Sequence, residues 1–360
     1  MEKINKFIGS KTVTKLNPLF TFLLTMGFVF LDCVWQNSLP RWNISYGPII
    51  ISLVLFAIPR ISLFLLWLII LVLFRKVLVN FSRISFWIIL IPNLILTVFG
   101  LYMFCIEPFF ITQTRIEIPV PGLTHTVRLV QLSDIHVERT TRREEKLPVV
   151  VEKLNPDMIV MTGDFINKSY KYDSIAIRDL RSLVSQFDAP LGVYAVSGNV
   201  EDPEQLEIFF SGTNVEWLDN EIVRFPEISD HFVLLGLTYK LWKYDEKTLA
   251  QLVDQVNAED FTLLLYHTPD IISTASNLNV DLYLAGHTHG GQFRLPFYGA
   301  LYTNSRHGKR FEMGLYQVNQ TTLFVTRGIG FSGGFAPRIR FLAPPEVVVI
   351  DLVPEKATQE

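Results

Sequence analysis

Leu282-Tyr283-Leu284-Ala285-Gly286-His287-Thr288-His289-Gly290-Gly291-Gln292 is the stretch that decides the fold. The run Asp281–Ala285, rich in β-formers, ends without a spacer in Gly-His-Thr-His. Short apolar runs closed by glycine read as buried strands rather than helices. The two imidazoles then sit in the loop at the C-terminal end of a strand. Working outward, the same pattern recurs upstream. Val127–Leu132 precedes Asp134-Ile-His136, Met158–Met161 precedes Gly163-Asp164, Gly192–Val196 precedes Gly198-Asn199, and Phe261–Tyr266 precedes His267. Loops at strand C-termini are where an α/β sheet presents its site. Asp134, His136, Asp164, Asn199, His267, His287 and His289 thus form a set of nitrogen and oxygen donors large enough for two divalent metal ions.

The segments between these runs carry helix signals. Arg142–Leu154 reads as a helix despite Pro148, as do Ser174–Phe187, Pro203–Phe210, Asp245–Val256 and a short Pro269–Ser276. His125–Leu132, Asp157–Met161, Gly192–Val196, His231–Leu237 and Phe261–Tyr266 read as strands, and the end turns β-rich at Phe311–Val318, Thr321–Thr326 and Glu346–Leu352. Strands alternating with helices argue for an α/β architecture. No internal repeat or low-complexity segment interrupts it.

The ordered set D-x-H, G-D, G-N, H, G-H-x-H resembles that of the calcineurin-like metallophosphoesterases. The flanking text SDIH, VMTGDF, LYHTPD, LAGHTHGGQ and PPEVVVIDL is similar to the membrane-anchored branch of that superfamily, and the likeness covers about residues 116–353. It implies a four-layer α/β/β/α sandwich with the site between its two sheets. It also implies one metal on Asp134, His136, Asp164 and His289 and a second on Asp164, Asn199, His267 and His287, with Asp164 shared. The donor types agree with this division. Imidazole with carboxylate or amide, and no cysteine, suits Mn, Fe or Zn. A water between two such ions becomes acidic enough to attack phosphorus.

The first 110 residues are of another kind. Residues 18–35, 47–74 and 84–106 are apolar enough to span a bilayer, and the middle one is interrupted by Pro59-Arg60. Divided there, each half would fall short of the ~20 residues a span needs, so one kinked span is expected. A cleavable leader is disfavoured, since no small-residue cleavage site follows the first segment. Asp32 is expected at the interface, within reach of headgroups. Lys3, Lys6, Lys11 and Lys15 precede the first span, and Arg75, Lys76 and Arg83 lie between the second and third. Positive charge marks the cytoplasmic side. Three spans then leave the domain at 111–360 outside the cytoplasm, in a plasma or inner membrane. A fourth span would reverse this and misplace Arg75, Lys76 and Arg83.

Hydrophobic residues make up 49 % of the 360, and the net charge of −3 gives no basic surface for nucleic acid. The two cysteines, Cys33 and Cys105, exclude a disulfide framework. No protein partner is expected. The reading is a membrane-anchored hydrolase of a phosphodiester or pyrophosphate, its substrate a phosphorylated small molecule or lipid. One alternative is a pyrophosphohydrolase of the UDP-diacylglucosamine type, which needs a cytoplasmic site. Another is a non-catalytic metal-binding scaffold. Arg294, Arg306, Lys309 and Arg327 are candidates to meet a phosphate. Phe293, Phe297, Tyr298, Phe331 and Phe335, among Gly328, Gly330, Gly333 and Gly334, form an aromatic rim suited to acyl chains, the bilayer surface or plain core packing. His125, His231 and His307 lack motif context. Relatives in the resembling family mostly follow Gly-Asn with histidine; here Val200-Glu201 stands instead. Without that imidazole, pyrophosphates and activated diesters are expected to be better substrates than alkyl monoesters, unless Glu201 or His307 supplies the proton.

Overall fold

The computed structural model describes residues 18–74, 82–331 and 337–355. Lys3, Lys6, Lys11, Lys15, Arg75, Lys76, Gly333, Gly334 and Phe335 lie outside the described residues, as does the side chain of Arg83. Contacts divide the chain after Tyr102, earlier than the boundary at residue 110 read from hydropathy. The reason lies in the segment that follows α3. There Glu107 accepts the Ala343 N–H at 2.7 Å and the Met103 carbonyl accepts the Arg340 N–H at 3.1 Å, tying it to the second unit.

In the first unit α1 (Pro18–Ser38), α2 (Ile49–Phe74) and α3 (Ser82–Leu101) form three helices. Among the described residues three segments are long and apolar enough to cross a membrane. α2 runs through Pro59 without a break. The patterning is inverted relative to a water-soluble bundle. Leu23, Phe30, Leu66 and Leu73 are exposed, whereas Thr21, Thr25, Asp32, Arg60, Asn93 and Thr97 are buried. Such a surface suits hydrocarbon, where polar groups must find partners inside the protein. Asp32 is only 1 % exposed, so it is not the headgroup-facing residue expected. Arg60 donates to both its oxygens at 2.7 and 3.0 Å, and also to the Asn93 carbonyl at 2.7 Å and Thr97 Oγ1 at 2.8 Å. Trp35 Nε1 adds a bond to Asp32 at 3.1 Å. One guanidinium thereby links all three helices.

The second unit contains two six-stranded sheets. In chain order its elements are β1 (Thr112–Val120), β2 (Val127–Leu132), α4 (Arg142–Glu152), β3 (Met158–Met161), α5 (Ser174–Val184), β4 (Val193–Ala195), α6 (Pro203–Phe210), β5 (Val215–Trp217), β6 (Glu221–Arg224), β7 (Phe232–Gly236), α7 (Trp242–Val253), β8 (Phe261–Leu265), α8 (Ile272–Asn277), β9 (Leu282–Ala285), β10 (Arg294–Leu295), β11 (Gly299–Ala300), β12 (Gly314–Val318), β13 (Thr321–Val325) and β14 (Glu346–Pro354). The sheets run β1-β14-β2-β3-β4-β5 and β12-β13-β9-β8-β7-β6, with β10-β11 a separate small hairpin. Strand alternation builds the layers. Leu129, Val160, Leu234, Leu263 and Leu284 fill the space between the sheets. Their neighbours Val130 and Ile159 turn outward onto Leu147, Leu180 and Leu206 of α4–α6. Leu264 and Tyr283 turn the other way, onto Leu249 of α7 and Ile272 of α8. The result is a four-layer α/β/β/α sandwich. Burial on both faces explains why the central strands read as continuous apolar runs.

Five strands escape the sequence reading, two of them the two-residue β10 and β11. β5 and β6 are short, and β1 (TQTRIEIPV) is an edge strand whose alternate residues Gln113, Arg115 and Glu117 are polar and exposed. The Phe311–Val318 strand begins only at Gly314, because Gly308–Phe311 form a 3-10 turn. α4 persists through Pro148, held by a capping box between Thr141 and Glu144 and by burial of Leu147 and Val151.

The Arg60 network gives a stability prediction. Asp32→Ala leaves a guanidinium buried without its counter-charge and is expected to cost about 3–5 kcal/mol, whereas Asp32→Leu with Arg60→Met should cost much less. Unfolding of the purified protein in mixed detergent micelles, followed by circular dichroism, checks the order. Equal losses in the two variants would contradict it.

Candidate metal centre

β2, β3 and β4 lie side by side and parallel in one sheet, as do β8 and β9 in the other. Their C-terminal loops deliver Asp134, His136, Asp164 and Asn199 from the first sheet and His267, His287 and His289 from the second. Six of the seven are buried and Asn199 is exposed. Two groups form, Asp134/His136/His289 and Asp164/His267/His287, each with donor atoms within 4.8 Å of one another. Asp164 Oδ2 stands between the groups, 3.4 Å from His136 Nε2 and 3.5 Å from His267 Nε2. His136 Nε2 and His289 Nε2 are 3.1 Å apart, and His267 Nε2 is 3.0 Å from both His287 Nδ1 and Asn199 Oδ1.

Tight loops aim these side chains. Asp134, His136, Asp164, His287 and His289 all have φ between 48° and 71°. Non-glycine residues rarely occupy that region, and each costs of order 1–3 kcal/mol unless its surroundings impose it. Here the loops hold one another. Asp134 N–H donates to the Gly163 carbonyl at 2.9 Å, His136 N–H to the Asp164 carbonyl at 3.0 Å, and Gly286 N–H to the His267 carbonyl at 2.8 Å. The motif glycines follow from that closeness. A methyl on Gly163 would overlap the backbone of Gly198, and one on Gly286 would overlap Ser133 and Asp134.

Each carboxylate has one oxygen held and one aimed inward. Asp134 Oδ2 accepts from Ser133 Oγ at 2.6 Å and His287 N–H at 2.9 Å, while its Oδ1 is buried with no hydrogen-bond partner among the described residues and lies 3.4 Å from His289 Nε2. Asp164 Oδ1 accepts the Val200 N–H at 3.1 Å, which leaves Oδ2 for the cluster. The histidines are set likewise. His267 Nδ1 donates to the Thr162 carbonyl at 2.7 Å and His287 Nε2 to the Asn304 carbonyl at 2.6 Å, so the opposite nitrogens face the site. Burial pushes His136 and His287 down to about 4, keeping them neutral donors, and pushes Asp134 up to about 6. Burial also pulls on His267, but the adjoining Asp164 carboxylate outweighs it and lifts that imidazole to about 10. A divalent cation beside the Asp164 carboxylate would answer the same charge. The bare Asp134 oxygen and the all-nitrogen-and-oxygen donor set fit such ions.

Other residues named from the sequence lie apart. Arg294 pairs with Glu312 at 2.7 Å, Arg327 with Glu346 at 2.7 Å and Arg306 with Glu246 at 3.2 Å, so each expected phosphate-meeting arginine already has a carboxylate partner. His231 bonds Asp260 at 3.1 Å, His125 bonds Thr124 at 3.1 Å and His307 bonds the Asp270 carbonyl at 3.2 Å. Glu201 accepts from the backbone N–H of Phe165 at 2.7 Å, Gly198 at 2.9 Å and Asp164 at 3.1 Å. It is a tie between two metal-site loops. Val200 is buried in the core beneath them. Sequence reading missed Ser133, Asn304 and Arg340. Arg340 is buried and donates to the carbonyls of Gly328, Gly330 and Ala343, bracing the loop whose Gly330 N–H bonds the Asp134 carbonyl. No local pattern marks these residues, because two of them act through backbone carbonyls and long-range contacts.

The model of the calcineurin-like phosphoesterases matches residues 127–291, the segment that carries all seven donors. A metallophosphoesterase of Bacillus subtilis, YkuE, is 31 % identical over 69 % of this chain and 87 % of its own. The chain belongs to the calcineurin-like phosphoesterases. As a member it is a metal-dependent phosphoester hydrolase. The UDP-2,3-diacylglucosamine pyrophosphatase LpxG of Chlamydia muridarum is 26 % identical over 68 % of this chain and 90 % of its own. A transmembrane protein with metallophosphoesterase domain from Danio rerio is 28 % identical over 68 % of this chain and 58 % of its own. With three apolar helices of spanning length, such relatives mark this phosphoesterase as a membrane protein.

Asp164→Asn is expected to lower turnover by about 10²–10³-fold and to remove more bound metal than His287→Ala, since Asp164 Oδ2 lies between His136 and His267 of the two groups. Metal analysis of the purified variants beside turnover of an aryl phosphodiester checks this. Near-normal activity in either variant would refute the assignment.

Proposed function

We propose that this phosphoesterase hydrolyses a phosphodiester or pyrophosphate bond in a membrane-derived substrate, using two divalent ions drawn from Mn, Fe or Zn. Asp134, His136, Asp164 and His289 would hold one ion, and Asp164, Asn199, His267 and His287 the other. The observation that carries this reading is the single Asp164 oxygen placed between two groups of donors. When bound, the pair supplies a water acidic enough to attack near neutral pH and polarises the phosphoryl oxygens. The chain's own residues set the geometry. Asp164 is oriented by Val200 N–H, His267 by Thr162 and His287 by Asn304. The exposed flank at Asn199 leaves the cluster open to substrate. A non-catalytic scaffold would have no need for so complete and so strained a donor set.

Bond preference follows from what the cluster lacks. Val200 offers no proton, Glu201 is spent on three backbone N–H groups, and His307 is engaged by Asp270. General-acid help is worth about 10²–10⁴-fold, most for a poorly stabilised leaving alkoxide. Wild-type protein is therefore expected to cleave pyrophosphates and aryl diesters at least ~10²-fold faster than alkyl monoesters. A panel assayed at saturating metal decides the matter, and a preference for alkyl monoesters would overturn it.

A second reading, favoured by the similarity to LpxG, is a pyrophosphohydrolase acting on a UDP-diacylglucosamine-like lipid. Topology separates the two, because that substrate needs a cytoplasmic site. From the lysines before α1 and the basic residues between α2 and α3, we expect the catalytic unit outside the cytoplasm. An alkaline phosphatase fused after Glu360 should be active. An inactive fusion beside an active cytoplasmic reporter would favour the LpxG-like reading.

A further inference from the structure

We infer that the β10–β11 hairpin is a bilayer contact, which seats its aromatic tip among lipid headgroups and opens the catalytic cleft toward the membrane. The hairpin turns through Pro296-Phe297-Tyr298, and Phe297 sits at its tip with φ 63° and its ring fully exposed. Leu295, Tyr298, Leu301 and Tyr302 are exposed beside it, Tyr302 at 72 %. Five large apolar side chains bare to solvent within eight residues are unlike the scattered exposed apolars of the rest of this unit.

Charge says what covers them. From Leu282 to Phe311 the chain has no Asp or Glu, yet it carries Arg294, Arg306, Lys309 and Arg310. Arg294 and Arg306 are matched by Glu312 and Glu246. Lys309 and Arg310 are exposed and have no carboxylate within ion-pair distance among the described residues. Lys309 lies 3.6 Å from the Tyr298 ring centroid and donates to the Tyr298 carbonyl, which places a cation at the base of the aromatic tip. Aromatic rings at headgroup depth with lysine and arginine behind them are the composition of a lipid interface, and anionic lipids attract such cations. A bilayer is also at hand by connectivity, since the chain passes from α3 to β1 through only Tyr102–Ile111.

The contact leads into the metal centre. A cleft of about 260 Å³ is lined by His287 and His289 together with Phe293, Leu301, Tyr302 and Ile339. Phe293 directly precedes β10, and Leu301 and Tyr302 directly follow β11. The cleft wall is therefore continuous with the hairpin. A phosphorylated lipid entering there would lay an apolar chain along the wall while its phosphate reached the histidines, which deepens the proposed function and rests on it. The bilayer contact itself does not depend on turnover.

The test uses the full chain in vesicles containing phosphatidylglycerol. In a Cys33→Ser/Cys105→Ser background, a nitroxide is attached at Phe297→Cys, at Tyr302→Cys, or at Tyr244→Cys on α7 as an exposed control. Relaxation by oxygen, which enters lipid, is compared with relaxation by a water-soluble nickel chelate. The labels at 297 and 302 are expected to favour oxygen over nickel about threefold or more relative to the label at 244, with 297 within ~5–10 Å of the headgroup boundary. A nickel accessibility at 297 and 302 equal to that at 244 overturns the proposal. Shielding of both labels from both quenchers would indicate a protein partner and overturn it equally. Neither outcome involves activity, so the catalytic proposal would stand or fall separately.

Discussion

Asp164 has two carboxylate oxygens with different partners, and the architecture of the second unit depends on keeping them apart. Oδ1 is held by the Val200 N–H, so Oδ2 has a single direction left, between His136 and His267. Val200 belongs to the loop after β4, His136 to the loop after β2, and His267 to the other sheet. Fixing one carboxylate thus requires adjacent parallel strands in the first sheet and a second sheet brought against it. Glu201 closes the same knot from beneath by accepting three backbone N–H groups, two of them from the loop that carries Asp164. The burial that makes these bonds strong also makes a bare oxygen such as Asp134 Oδ1 costly. A cation meets both demands.

The reach of each constraint along the chain decides which parts of the molecule were legible from the sequence. The motif glycines, the histidines and the aspartates are constrained by contacts within two or three residues of a strand end, and local spacing records such constraints. The central strands were legible for a similar reason, since burial on both faces leaves unbroken apolar runs. β1 was not. As an edge strand it alternates polar and apolar residues, and its partner β14 comes from the far end of the chain. Arg340, Ser133 and the Asn304 carbonyl were equally invisible. Arg340 reaches backbone carbonyls, Ser133 is a common residue beside the motif, and a backbone acceptor has no residue signature at all.

Asp32 shows the same limit from the other direction. A lone carboxylate near the end of an apolar segment reads as an interfacial residue, because a sequence window sees only its own helix. The partner that changes its meaning, Arg60, lies on α2, and the remaining donors of the network come from α3. Arg60 itself read as an interruption. Together the two become a single buried pair, and such a pair adds little net stability over a well-packed apolar replacement.

The two units therefore apply opposite rules to one chain. In the first, polar side chains are collected inside and apolar ones displayed, which is stable only against hydrocarbon. In the second, apolar side chains fill three layers and the polar cluster occupies the rim where strands end. The β10–β11 hairpin is the exception within the second unit, since it displays apolar rings as the helices do. An exposed Phe297 would be a liability on a protein that met only water, inviting aggregation. On a chain with three apolar helices of spanning length the same ring has a surface to meet, and the histidines at the floor of the adjoining cleft give that meeting a chemical use.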